Sequence, residues 1–194
     1  MSDHDTTPTT VPVEPETDVI RGFLGCLMAA PASGGLFPAR ELVAGMRPDD
    51  AGPGVRGVAF ELILRVVAAG VAPDPRVLLA EAQRTGHLDT THKHEQFAMW
   101  LSETYRTAPF PESGWFLRTA VLEAAYRRRM REHTLRLQQA TEFAAIEQLP
   151  VLAELDDDLV DLWQRLAADL ARWQRDTTPG PRRIAPAGDW RAAA

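Results

Sequence analysis

Few residues in this chain are spaced for chemistry. Cys26, the single cysteine, lies in the apolar stretch Phe23-Leu24-Gly25-Cys26-Leu27-Met28 with no base beside it. A reactive thiolate needs such a partner, so a buried structural thiol is expected. One cysteine also excludes an internal disulfide framework and a multi-cysteine zinc site. His92, His94 and Glu95 carry ligand atoms, but residues two apart on a helix point in different directions. Metal pairs sit four apart, so a solvated helix start is expected here. Asp156-Asp157-Asp158 resembles an acidic metal cluster, yet carboxylates in a helix's first turn are already favoured by its dipole. Arg127-Arg128-Arg129-Met130-Arg131 is the most basic stretch and suits phosphate or an acidic partner; Glu123 and Glu132 stand by to pair with it.

Lysine usage settles one mechanism. Of the 21 basic residues only Lys93 is a lysine, and no glycine-rich loop precedes it. A Walker-type ATPase site needs a lysine in such a loop against the phosphates. No nucleophile–base pair, nucleophile elbow or dinucleotide loop stands in its place. The chain is expected to be non-enzymatic and to take no cofactor and no metal.

Composition agrees with a binding module. The 45% hydrophobic and 25% charged fractions are those of an ordinary globular protein. The net charge of −6 argues against a dedicated nucleic-acid binder. No apolar run reaches membrane-spanning length and no signal peptide opens the chain, so a cytoplasmic protein is expected.

The elements that hold these residues read as helices throughout. Residues 1–13 have little to bury and are expected to be a disordered leader. Thr17 or Asp18 can cap a first helix, with Val19, Ile20, Phe23, Leu24, Leu27 and Met28 at helical spacing. A short helix over about 38–46 follows, then a turn-rich loop over 47–54 and an apolar central helix over 55–69. Pro73-Asp74-Pro75 opens a helix that ends at Gly86. Another, over about 91–106, should turn Phe97, Trp100, Leu101 and Tyr105 to the core. No period-2 alternation appears. The class expected is all-α: a compact helical head over 14–108, a long antiparallel helical hairpin over 109–176 as an interaction arm, and a flexible tail over 177–194.

The arm carries the clearest pattern. Leu122, Tyr126, Met130, Leu137 and Ala144 mark one stripe of its first helix. In its second helix Leu152, Leu155, Leu159, Leu162, Leu166 and Trp173 step by three, four and seven, the spacing of a coiled-coil seam. The reversal is expected at Gln148-Leu149-Pro150. Six Arg against four Glu over 111–145, and three Arg against six acids over 149–175, give the two arms opposite charge. Arg136 should therefore face Asp156-Asp157-Asp158. These stripes, with Trp163, form the expected interface; Arg127, Arg128, Arg129 and Arg131 are its candidate contacts to an acidic partner or nucleic acid.

Three segments, in order, resemble the N-terminal domain of DnaB-type replicative helicases. Glu16-Thr17-Asp18-Val19-Ile20-Arg21-Gly22-Phe23-Leu24 is similar to the family's opening helix. Val58-Ala59-Phe60-Glu61-Leu62-Ile63, then Gly70-Val71-Ala72-Pro73-Asp74, then Leu78-Leu79 to Gly86-His87-Leu88 resemble its helix, turn and following helix. Phe97-Ala98-Met99-Trp100-Leu101-Ser102-Glu103, Thr107 to Pro111 and the arm helix resemble the third. The chain departs from the family at Asp49-Asp50-Ala51-Gly52-Pro53, where aromatic and histidine residues are usual, and at Trp115-Phe116, where a Tyr is. The resemblance implies a helical head with a hairpin that pairs between subunits in a collar, and docking to primase. The expectation is a homo-oligomer, a dimer first, with replicative helicase or primase as partner. An N-terminal fragment of a complete helicase, or a DNA-binding regulator using the arginines, are the alternatives.

Overall fold

The computed structural model describes residues 15–32, 34, 38–154 and 156–177, and among them no strand occurs. The leader expected over 1–13, most of the tail, and Leu155 lie outside the described residues. Helix α1 spans Pro15–Ala29. It starts ahead of the expected Thr17 or Asp18 cap because proline, lacking an N–H and fixed in φ, suits a helix's first turn. Helix α2 is only Ala39–Leu42, shorter than expected, and turns out through Val43 to Gly45.

Helix α3 (Val55–Ala68) is the central one, with Ala59, Phe60, Leu62, Ile63, Val66 and Val67 all buried. The Phe60 ring meets Phe23 of α1 edge-on at 6.2 Å. Gly57, in the first turn of α3, has no room for a side chain: a Cβ there would run into the carbonyl oxygen of Gly52. Helix α4 (Pro75–Arg84) is capped by Asp74, whose carboxylate accepts the Arg76 N–H at 2.8 Å. It is closed by Gly86 at φ +77°, a left-handed conformation that glycine adopts without a Cβ penalty. Helix α5 (Thr91–Arg106) begins where Thr90 Oγ1 accepts the Lys93 N–H.

One expected core residue of α5 is on the surface. Tyr105 is 46% exposed, and Thr104 is buried with Phe97 and Leu101. The stripe stepping 97, 101, 104 is the one that faces α1, and 105 lies off it.

Helix α6 (Gly114–Phe143) is 30 residues long and follows a 3₁₀ turn at Pro111–Ser113. Its first half is core: Gly114, Arg118, Val121, Leu122 and Ala125 are buried, and α6 packs against α1 as extensively as against the second arm. The division expected at 108/109 therefore falls just ahead of residues that belong to the head's core. The reversal also differs from expectation. Helix α6 stops at Phe143, and Ala144 is extended with ψ 151°. A 3₁₀ turn (Ile146–Gln148) and a short helix α7 (Leu149–Ala153) follow, before α8 (Asp157–Thr177). Pro150 sits in the first turn of α7, where its missing N–H costs nothing, instead of breaking a helix. Among the described residues no helix is long and apolar enough to cross a membrane.

Candidate interaction surface

Helices α6 and α8 run antiparallel, as three cross-pairs show. Arg118 meets Asp169 at 2.6 Å, Tyr126 stacks obliquely on Trp163 with centroids 5.3 Å apart, and Arg136 reaches Asp156 at 3.5 Å. The last is the arm-to-arm charge pairing expected from the sequence. Asp156 also accepts the Asp158 N–H at 3.0 Å, capping α8. That hydrogen bond, then Arg136, holds its carboxyl below the usual carboxylate range.

The middle of the leucine seam is filled from within the chain. Leu159, Leu162 and Leu166 are buried, and the last two join the head's main core with Val121, Leu122 and Ala125. Tyr126, Met130 and Leu137 are half-buried along α6. The seam's ends, Leu152 and Trp173, stay exposed, and residues outside the seam join them. Val160, Trp163, Leu170 and Trp173 lie exposed along α8, the first three at steps of three and seven. At the tip, Phe143 is 84% exposed, Ile146 77% and Val151 71%, with Leu152 and Leu135 beside them in exposure. Most of these large apolar side chains fall in or beside the segment 143–152 that joins α6 to α8.

The arginine stretch works largely inward. Arg128 donates to the backbone carbonyls of Asp49 and Asp50, at 2.8 and 3.2 Å. Arg129 pairs with the Asp49 carboxylate at 3.2 Å, and Arg127 with Glu123 one turn back. Arg131 is exposed. Arg127, Arg128 and Arg129 are thus engaged with this chain's own oxygens, the last two at the 47–52 loop.

That loop is where sequence reasoning missed the most. Asp50 is 3% exposed. It accepts the Arg47 N–H at 2.7 Å and two bonds from Arg165 of α8, at 2.6 and 3.3 Å. Burial works against the Arg165 cation, but Asp50 and Asp161 outweigh it and push the guanidinium further above its ordinary range. Arg47 answers with bridges to Asp158 and Asp161, at 2.9 and 3.1 Å. Arg118 is the second anchor. From within α6 it donates to the carbonyls of Leu42 and Ala44 as well as to Asp169. Arg172 of α8 lies over the Trp115 ring at 3.5 Å, a cation–π contact. Helix α8 is therefore pinned to the head by charge along much of its length.

The other candidate residues are placed as ordinary structure. His92 and His94 sit in the first turn of α5, and Asp157 and Asp158 in that of α8. Among the described residues no group of three or more His, Cys, Asp or Glu converges to hold a metal ion. Cys26 is buried, its Sγ against the carbonyls of Pro109 and Phe110. Burial, with the Glu112 carboxylate adding to it, pushes the thiol up to about 11. At pH 8 roughly one thiol in a thousand is then ionised, so iodoacetamide is expected to label Cys26 only after unfolding. Mass spectrometry of the folded and urea-treated protein checks this. Stability tied to the neutral thiol is fully present below pH 9 and is lost as the pH rises toward 11.

No protein-family model matches this sequence, and no curated relative matches it. Among solved structures it is similar to the crystal structure of the N-terminal domain of DnaB helicase from Mycobacterium tuberculosis. The TM-score is 0.56 at 19% identity, over 84% of this chain and 99% of that one. The chain has the all-helical fold of the DnaB helicase N-terminal domain.

Proposed function

We propose that this chain is a non-enzymatic protein-interaction module in the cytoplasm that self-associates through its hairpin and docks on replicative helicase or primase. The observation that carries the reading is the exposed apolar set on the arm of a helicase-domain fold. The seam's middle, Leu159, Leu162 and Leu166, is spent inside the chain, so the pairing surface is the tip (Phe143, Ile146, Val151, Leu152) continued by Val160, Trp163, Leu170 and Trp173 along α8. Burying such side chains against a partner contributes about 25 cal/mol per Å² of apolar area, and aromatic anchors dominate such interfaces.

The inward roles of Arg128 and Arg129 favour this reading over DNA binding through the arginines. Light scattering across a concentration series should show a dimer. Replacing both Phe143 and Ile146 by serine, two surface changes that leave the core alone, should weaken that dimer at least about tenfold. Immobilised chain should retain helicase or primase, and the double variant should retain less. A wild-type chain that stays monomeric at every concentration and retains neither protein would sink the proposal.

A further inference from the structure

Helix α8 is a separable piece. Among the helices it packs chiefly on α6. Its inner face is seated by Leu159, Leu162 and Leu166 and by two ion pairs, Arg165 to Asp50 and Asp169 to Arg118, each at 2.6 Å. The chain that brings α8 back along α6 is built differently. Ala144, Ala145 and Glu154 are extended, with ψ of 151°, 143° and 142°. Between them lie one 3₁₀ turn and the five-residue helix α7, and a helix that short is not stable by itself. Among the described side chains of 143–154 none is buried. The contacts that seat α8 thus lie on α8, α6 and the 42–50 loop, and the reversal adds no buried side chain to them.

We propose that α8 is exchanged between two copies of this chain. In the dimer the α8 of each copy docks on α6 and the head of its partner, and the two reversals pass each other at the two-fold axis. The proposal rests on the self-association put forward above and says how it is built. Exchange costs nothing at the docking site, because an identical helix restores the pairs to Asp50 and Arg118 and refills the seam. Arg136 and Asp156, the pair nearest the reversal, are 20 positions apart. A chain of that length reaches about 65 Å when extended, enough to leave one α6 and enter the same site on another. The gain is at the reversal itself. Phe143, Ile146, Val151 and Leu152 lie exposed when the chain closes on itself, and two reversals side by side cover each other's apolar side chains. Tethering favours the closed chain by raising the local concentration of α8, so the exchanged dimer grows with protein concentration.

Tyr126 on α6 and Trp163 on α8 report on this directly, since their ring centroids lie 5.3 Å apart. The full-length chain, isotope-labelled in both ring types, is unfolded, mixed with unlabelled chain and refolded at high concentration. The dimer is then isolated by size exclusion, and the Trp163 indole is assigned from a Trp163→Phe variant. With about a ninefold excess of unlabelled chain, exchange predicts that the Tyr126–Trp163 contact within labelled copies falls to about one-tenth of that in an all-labelled dimer. Refolding tyrosine-labelled copies with tryptophan-labelled ones should show the same contact between copies. A dimer that keeps the full contact within each copy overturns the exchange and leaves the pairing of the arms standing. A chain that is monomeric at every concentration overturns both.

Discussion

Arg118→Ala is expected to lower the unfolding free energy by about 3–5 kcal/mol, the range for removing one member of a buried ion pair. The side chain is 7% exposed and its Asp169 partner 11%. Truncation strands that carboxylate and leaves the carbonyls of Leu42 and Ala44 without their donor. Shortening also removes the guanidinium that lies 5.7 Å from the Trp115 ring centroid. Denaturant titration followed by circular dichroism reads the loss. The pairing of Arg118 with Asp169 predicts a further result. Asp169→Asn combined with Arg118→Ala should cost less than the sum of the two single changes, because the charge left behind in one is absent from the other. Strict additivity would show that the pair contributes nothing as a pair.

Asp50→Asn carries the second large effect, about 2–3 kcal/mol, between the ranges for exposed and for buried ion pairs. It is smaller because Arg165 is partly exposed, at 16%, and keeps Asp161 as a second partner. Its character differs from that of the first. Asparagine preserves shape and can still accept the Arg47 N–H, so the head's core is untouched. What weakens is the hold of the 47–52 loop on α8. Hydrogen exchange should therefore accelerate across 157–172 while α1 and α3 keep their protection, the pattern of a local opening. Uniform acceleration through all helices would mean instead that α8 does not open separately from the head.

The helical class and much of the head were legible because their signals are local. Asp74 and Thr90 cap their helices, and Gly86 closes one, each within a few residues of the boundary it sets. The arm was less legible for a physical reason. Pro150 looked like the reversal, but proline is also welcome in a helix's first turn, and that is its place. The true end of α6, at Ala144, carries neither glycine nor proline to mark it. The leucine seam on α8 was visible from its spacing, yet spacing cannot say whether the partner is another chain or the same one. For Leu159, Leu162 and Leu166 the cover is the same chain. The anchors Asp50, Arg118 and Arg165 left no trace in the sequence because the partners that tie them across the fold lie 51 to 115 residues away. The loop 49–53, where the chain departs from the helicase family's usual residues, is the one that holds α8.

Helix α6 belongs to two places at once. Its first turns are inside the head, and its last carry Phe143 to the tip; 30 residues at 1.5 Å each make a rod of about 45 Å. Buried at one end and held at Asp49, Asp50 and Asp169 through its arginines, that rod acts as a lever with its short arm clamped. A partner gripping the tip, as proposed, would set the direction in which the head points. Attachment and aim are mechanically one act in this fold.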